Sequence, residues 1–485
     1  MKLLSHLSPE GDGIPGPADS RRAVLGFEAW HEALVAEGEF NSGAALPWSA
    51  TPVGKRLLAS IFGNSPFLSG VAIREQGFLT RIVEEGADPV FAEIAAAVEI
   101  SEDLGEDTTA LMRRLRVAKR RVSLLAAVAE LIGAWTLEQQ TAALSRFAEA
   151  ALGAVVRHLL RQAQTKGSAA LVSADEPERD SGLIVLGMGK LGGNELNYSS
   201  DIDLILLYDP NRAPVSARDG IQSFFVRVAR DLVRILDERT ADGYVFRTDL
   251  RLRPDPASTP PALSVAAALA YYESVGQNWE RAALIKARPV AGDKALGKSF
   301  LKVIRTFVYR KAQPKAILAQ VMRIKRLIDQ KMVAREESER NVKLGRGGIR
   351  EVELAVQTLQ AMFGAAMPVQ ERNTEKALGK LFRARLIGPG EHRFLLDGYW
   401  FLRNVEHKLQ MVEEQQTHTL SADPVELHVC ALRLGYKDAE EAQAEELFRR
   451  DYARHAERIH DIFVRVLAGE IRPGRTRPVG VRALM

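Results

Sequence analysis

Asp201 and Asp203 stand two apart in the apolar run Asp201-Ile-Asp-Leu-Ile-Leu-Leu-Tyr208. Residues i and i+2 of a strand project to one face, so these carboxylates point together while Ile202, Leu204 and Leu206 face the other way. Two like charges on an apolar strand repel and resist burial, and the pair calls for a cation. Magnesium is the expected one, since it takes one or two carboxylates plus substrate phosphates. A third carboxylate, Asp249, lies in Tyr244-Val-Phe-Arg-Thr-Asp249-Leu-Arg-Leu-Arg253. Alternation there predicts a strand with Val245, Arg247, Asp249, Arg251 and Arg253 on one face and Phe246, Thr248, Leu250 and Leu252 on the other. Laid beside the first strand, it would complete a set of three carboxylates, two metal ions and arginines suited to phosphoryl transfer. The plainer alternative leaves Asp201 and Asp203 solvated at a strand edge.

Before this strand stands Gly187-Met-Gly-Lys-Leu-Gly192-Gly193-Asn194-Glu-Leu-Asn-Tyr-Ser-Ser200, a glycine-rich turn whose backbone amides can approach phosphates. Gly187-x-Gly189-x-x-Gly192 also fits a dinucleotide fingerprint, but only about seven residues separate Gly193 from Asp201, too few for a crossover helix. Gly292-Asp-Lys-Ala-Leu-Gly297-Lys298-Ser299 fits a P-loop formally. The preceding Ala282-Ala-Leu-Ile-Lys-Ala-Arg-Pro289 makes a poor buried strand, so the segment reads better as a loop capping a helix that starts near Ser299. Lys343-Leu-Gly345-Arg346-Gly347-Gly348 opens a helix and suits either an anion or tight packing. His407 and His418 lack metal-ligand spacing and read as core or solvated histidines.

The elements that must position these residues follow from composition and pattern. The chain has 485 residues, 46% hydrophobic and 26% charged, which fits a folded soluble protein of several domains. Cys430 is the only cysteine, so no internal disulfide or CxxC motif exists, and a reducing cytoplasm is expected. The first residues lack the apolar stretch of a signal peptide, and no apolar run is long enough for a membrane span. The net charge of +4 gives no general case for nucleic acid. Residues 305–350 are the local exception, with 13 Lys/Arg against 4 Asp/Glu, read chiefly as a solvated helix face. Residues 107–164 carry helical periodicity and predict two or three packed helices. Residues 166–182 have linker chemistry, and residues 221–236 predict an amphipathic helix. Long helices are expected at 315–343, 349–363 and 394–411. The resulting division is 1–165 helical, 166–310 strand-containing, 311–470 helical, and 471–485 as linker or tail.

The stretch from Leu186 through Asp209 resembles the nucleotidyltransferase motif of bacterial glutamine synthetase adenylyltransferase/adenylyl-removing enzymes. Arg247-Thr-Asp-Leu-Arg-Leu-Arg-Pro254, Trp279-Glu-Arg, Lys286-Ala-Arg-Pro289, Gly345-Arg-Gly-Gly-Ile-Arg-Glu-Val-Glu353 and Phe401-Leu-Arg-Asn-Val-Glu-His-Lys-Leu-Gln410 are similar too. The resemblance covers roughly residues 55 to 470. It implies an α+β fold, mostly helical, with a DNA polymerase β-like nucleotidyltransferase domain (a small mixed sheet plus helices) between helical regions. It implies Asp201, Asp203 and Asp249 as catalytic metal ligands for two Mg²⁺ ions. Gly192, Gly193, Asn194, Ser200 and Arg251 are the accompanying nucleotide- and phosphate-binding candidates. Family members carry two related halves, and this chain resembles the N-terminal one. That half removes AMP from a tyrosine of glutamine synthetase by phosphorolysis, giving ADP. The implied partners are glutamine synthetase, ADP or ATP, orthophosphate and the PII signalling protein, with no membrane and no nucleic acid. The alternatives are adenylylation by the same site, an RNA-directed nucleotidyltransferase, and a non-catalytic regulatory module.

Overall fold

In the computed structural model, residues 2–36, 47–100, 105–215, 220–310, 313–331 and 339–471 are described. Capping residues cut the first part of the chain into helices. Thr51 caps one and Ser65 the next, each accepting a backbone N–H through its side chain and each followed by proline. The helices are α1 (Ser20–Ala36), α2 (Pro47–Ala50), α3 (Pro52–Asn64), α4 (Pro66–Arg74), α5 (Gln76–Glu85) and α6 (Ala87–Glu99). The long stretch without proline forms α7 (Thr108–Leu131) and α8 (Leu137–Thr165), the packed pair expected. Gly133, at φ +70, makes the left-handed turn between them.

The middle of the chain holds β1 (Leu183–Gly187), α9 (Gly189–Gly192), β2 (Ile202–Tyr208), α10 (Ile221–Asp237), β3 (Thr248–Asp249) and β4 (Ala262–Ser264). It continues through α11 (Val265–Ser274), α12 (Asn278–Leu284), β5 (Arg288–Gly292) and α13 (Lys294–Val308). The sheet is mixed, in order β3-β2-β1-β5. β1 runs antiparallel to β2 and β5, whereas β2 runs parallel to β3 at its start and to β4 at its end. Alternation decides which core each side chain enters. Leu183, Val185, Ile202, Leu204 and Leu206 pack in one core with α7, α8 and α10. Ile184, Leu186, Ile205 and Leu207 pack in another with α11 and α13. Asp203 shares the strand face of Ile205 and Leu207.

The last part is helical: α14 (Pro314–Lys331), α15 (Ile349–Phe363), α16 (Thr374–Arg383), α17 (Pro389–Glu413), α18 (Pro424–Arg433) and α19 (Ala444–Leu467). It has its own core, built around Val352, Leu359, Leu395, Leu402, Phe448 and Phe463. The fold is α+β and mostly helical, as expected. No helix among the described residues is long and apolar enough to cross a membrane.

Three expectations need correcting. Residues 244–253 do not form a continuous strand; only Thr248–Asp249 pairs. Val245 and Phe246 are both buried and both donate their N–H to the Leu236 carbonyl, which breaks the alternation. Beyond Asp249 the chain wraps around Arg253, whose guanidinium donates to the carbonyls of Leu250, Pro256, Thr259 and Pro260. Second, a buried strand, β5, does precede the Gly292–Ser299 segment, but α13 starts at Lys294, capped by Asp293, rather than near Ser299, so Gly297-Lys298-Ser299 lies inside a helix and forms no phosphate loop. Third, the expected helix over 315–343 is seen as α14 only, since residues 332–338 lie outside the described residues and Asn341 bridges to Thr419. Residues 472–485, read as a tail, also lie outside them.

Candidate functional site

The β2–β3 register sets Asp203 directly beside Asp249 and Ile202 beside Thr248. The two parallel strands come from segments about 46 residues apart in the chain, and their pairing brings the carboxylates to one corner of the sheet. Asp201 sits immediately before β2. Its Oδ1 accepts a 2.6 Å hydrogen bond from Arg247 Nε. Arg247 is fixed in turn by donating to the Tyr244 hydroxyl at 2.8 Å and the Ser199 carbonyl at 2.7 Å. Asp249 accepts from the Arg251 side chain at 2.5–3.0 Å and from its backbone N–H at 2.7 Å. Burial pushes the Asp249 carboxyl upward, but these bonds outweigh it and hold it below its ordinary value.

Asp203 differs from both. Among the described residues no donor reaches its carboxylate, and Oδ2 lies against Gly189, where a Cβ would stand 2.6 Å from it. Burial, with Asp249 and Asp201 alongside, raises its carboxyl to about 6. A half-buried carboxylate without a donor, between two others, is a group that a cation would stabilise.

The glycine-rich turn is built for close packing. Gly189, at φ +50, lets the turn approach Asp203. Gly192 is buried with its Cα against the Lys286 and Gly187 carbonyl oxygens, and Gly193 lies against Glu195 and the Arg372 carbonyl. Asn194 is exposed at φ +60, and Ser200 is buried next to Asp201. Of the phosphate-binding candidates, Ser200 and Arg251 therefore adjoin the carboxylates, whereas Gly192 packs on the Lys286 backbone and Gly193 on Arg372 just before α16. Gly192→Ala is expected to destabilise the protein by about 1–3 kcal/mol, because its Cβ would strike two backbone carbonyls that cannot both retreat. Urea unfolding of the variant checks this.

Below the carboxylates runs a seam of buried charge joining the sheet to the C-terminal helices. Lys190 of α9 bonds both carboxylate oxygens of Glu406 of α17 at 2.8 Å. Asn197 Nδ2 donates to the same carboxylate at 2.5 Å. The fully buried Arg403 donates to Asn197 Oδ1, the Tyr399 hydroxyl and the Glu195 carbonyl. Lys286 bonds Glu195 at 2.7 Å, Thr374 at 3.1 Å and Glu353 at 3.4 Å. Burial alone would raise Glu353, but Lys286, Arg350, Lys190 and Lys343 hold it at about 2.

Residue type could not have placed this seam. Its charges look like solvated helix faces in the sequence, and their partners lie as far as 216 residues away. Lys343 and Arg350 are the other residues missed as neighbours of the carboxylates. Their charges act on Asp203 from the turn before α15 and the first turn of that helix. The basic glycine-rich turn was the available signal, but nothing in it identified the acids it would meet. Its glycines also pack tightly, with Gly347 at φ +71 set against the Ala456 backbone. Part of the basic excess at 305–350 is spent internally, Lys325 on Asp329 and Glu351 and Arg350 on Glu353. His407 and His418 are not metal ligands together: His407 is buried 3.3 Å from Glu130, and His418 Nδ1 is 3.0 Å from Glu406.

The three carboxylates share one corner, but their oxygens are not drawn to one point. Asp201 is turned to Arg247 and Asp249 to Arg251, so guanidinium groups supply the positive charge. Arg251 is 84% exposed and can swing away without disturbing the core. Three hard oxygen donors, one of them unpaired, suit a hard divalent cation. The metal-type cluster that does converge among the described residues is His428, Asp438 and Glu445. There the two nitrogens of His428 face different carboxylates, Glu445 at 2.5 Å and Asp438 at 3.7 Å, which makes ion pairs rather than one ligand set.

Comparison with known proteins gives two family matches. Residues 55–303 match the family described as glutamate-ammonia ligase adenylyltransferase, and residues 317–467 match GlnD PII-uridylyltransferase. Three similar proteins each carry the name bifunctional glutamine synthetase adenylyltransferase/adenylyl-removing enzyme. The Agrobacterium fabrum protein is 45% identical over 402 residues, 81% of this chain and 41% of the relative. The Rhizobium meliloti protein is 45% identical over 392 residues, 79% and 40%. The Caulobacter vibrioides protein is 45% identical over 433 residues, 88% and 42%. The chain spans about two fifths of the length of these curated relatives.

Proposed function

The chain belongs to the glutamate-ammonia ligase adenylyltransferase family, and on that premise we propose that it removes AMP from an adenylylated tyrosine of glutamine synthetase by phosphorolysis. The observation that carries this reading is the register of Asp203 beside Asp249, with Asp201 at the same corner. Asp201, Asp203 and Asp249 would hold two Mg²⁺ ions. Bound there, the ions would neutralise phosphate charge and stabilise the departing tyrosinate. Arg247 orients Asp201 by anchoring it to Ser199 and Tyr244. Arg251, once released from Asp249, can meet a phosphate oxygen, and Ser200 borders the same space. An orthophosphate oxygen attacks the phosphorus of the bound AMP. The bond from phosphorus to the tyrosine oxygen breaks, the tyrosine oxygen takes up a proton, and ADP leaves. Positioning and fixed charge do most of this work.

The domain roles follow the same reading. Residues 166–310 form the nucleotidyltransferase domain, and 1–165 and 311–470 flank it as helical regions. The PII signalling protein is the proposed regulator, and the cytoplasm the proposed location.

The test is ADP release from adenylylated glutamine synthetase with Mg²⁺ and orthophosphate, with and without uridylylated PII. ADP formed in step with loss of bound AMP supports deadenylylation. Chelation of the metal by excess EDTA is expected to stop the release, and added Mg²⁺ to restore it. AMP incorporation from ATP into unmodified synthetase, with no ADP release, reverses the direction. Silence in both assays overturns the catalytic reading.

A further inference from the structure

Lys343 stands out among the charged groups at the contact between the sheet and the C-terminal helices. It is half-buried, yet among the described residues its ammonium makes no ion pair and no hydrogen bond. The acids beside it are already spent. Glu406 is bonded by Lys190 and Asn197, with His418 Nδ1 at 3.0 Å. Glu353 is taken by Lys286 and Arg350. With those acids spent and its ammonium open to solvent, Lys343 is a cation available to an anion that enters this corner.

A short chain of contacts ties Lys343 to the carboxylate corner. Gly189 rests against Asp203 Oδ2, and the next residue, Lys190, grips Glu406. His418 reaches Glu406 with its ring, and its carbonyl accepts from Val342 N–H at 2.8 Å, one residue before Lys343. The turn itself is rigid. Asn341 Oδ1 accepts from the backbone of both Lys343 and Leu344, and Gly347 is locked against α19. The charge of Lys343 is felt by Asp203, Lys190, Glu353, Glu406 and His418 alike, yet among the described residues no carboxylate stands within ion-pair distance of it.

We propose that Lys343 binds a phosphate oxygen at this site, so that the C-terminal helices supply the oxyanion contact opposite the carboxylates of β2 and β3. The ligand class is a phosphate monoanion or dianion, from orthophosphate or from the terminal phosphate of a nucleoside diphosphate. This rests on the nucleotidyltransfer reading of the carboxylate corner and adds the residue that recognises the anion. Lysine suits the task because it offers a compact point charge on a flexible stem.

Calorimetric titration of the full chain with orthophosphate and with ADP, both in Mg²⁺, tests the proposal. Lys343→Met is expected to weaken binding roughly ten- to hundredfold, the range for a lost charge-assisted hydrogen bond. Lys343→Arg should recover part of the affinity. Arg346→Met, an exposed change on the same turn, should leave binding unchanged. Loss confined to orthophosphate assigns Lys343 to the attacking anion, and loss confined to ADP assigns it to the nucleotide phosphate. Equal binding by wild type and Lys343→Met overturns the proposal, as does a wild type that binds neither ligand. A fall in melting temperature matching the affinity loss, with no recovery in Lys343→Arg, overturns it as well. The readout is separate from turnover. Anion affinity that depends on Lys343 without ADP release from adenylylated synthetase would keep this assignment and discard the deadenylylase reading.

Discussion

Asp203→Asn is expected to lower the rate of AMP removal by on the order of a thousandfold or more, the scale set by losing a preorganised charge contact at the reacting phosphate. The same change should leave the metal-free protein at least as stable. Asp203 is half-buried between two other carboxylates and has no donor among the described residues. The neutral amide keeps its shape and removes the repulsion, which points to a gain of about 1–2 kcal/mol. Activity and stability should therefore move in opposite directions. The paired measurements are ADP release with Mg²⁺ and thermal melting in EDTA. Wild-type turnover in Asp203→Asn would remove this residue from the reaction. A large drop in melting temperature would mean that the carboxylate holds the corner together instead.

Breaking the buried seam should have the largest effect on stability. Arg403→Met is expected to cost about 3–5 kcal/mol, the usual price of leaving buried partners uncompensated. Arg403 is wholly inaccessible, and its guanidinium joins Asn197, Tyr399 and the Glu195 backbone while standing 3.4 Å from Glu406. Urea unfolding at neutral pH measures the loss, and a cost under about 1 kcal/mol would mean the seam relaxes easily. Acid should reach the same contacts. Glu353 and Glu130 are held at about 2, and Glu406 lies well below its ordinary value. Carboxyls depressed in the folded state contribute stability above their unfolded value, near 4.5, and lose it as the pH falls from there toward 2. Unfolding free energy should therefore drop steeply between pH 4.5 and pH 2.5, and less steeply in Arg403→Met, where part of the seam is already broken.

Much of the site was legible because its logic is local. A Cβ alternates along any strand, so Asp201-Ile-Asp203 had to present two acids on one side and feed apolar residues to the other. The two cores on either face of β1 and β2 follow from the same rule. Helix ends were equally local, written in Thr51-Pro52, Ser65-Pro66 and the Thr136–Gln139 capping box. Alternation failed at residues 244–253 for a physical reason. Arg253 satisfies four backbone carbonyls, and that irregular loop outweighs the strand its pattern suggested.

By itself the sequence determined the apolar strands β1 and β2, most of the helices around them, the three candidate carboxylates and the family resemblance, but not β4 or β5. Only the tertiary structure decided that Asp249 pairs in register with Asp203, that Gly189 rather than Gly192 touches the carboxylate, and that Lys343 has no ion-pair partner among the described residues. These depend on contacts between segments as distant as Lys190 and Glu406. Local periodicity records which way a side chain points. It does not record which charge lies opposite, because that is fixed by burying distant segments together and by the cost of leaving any buried charge without a partner.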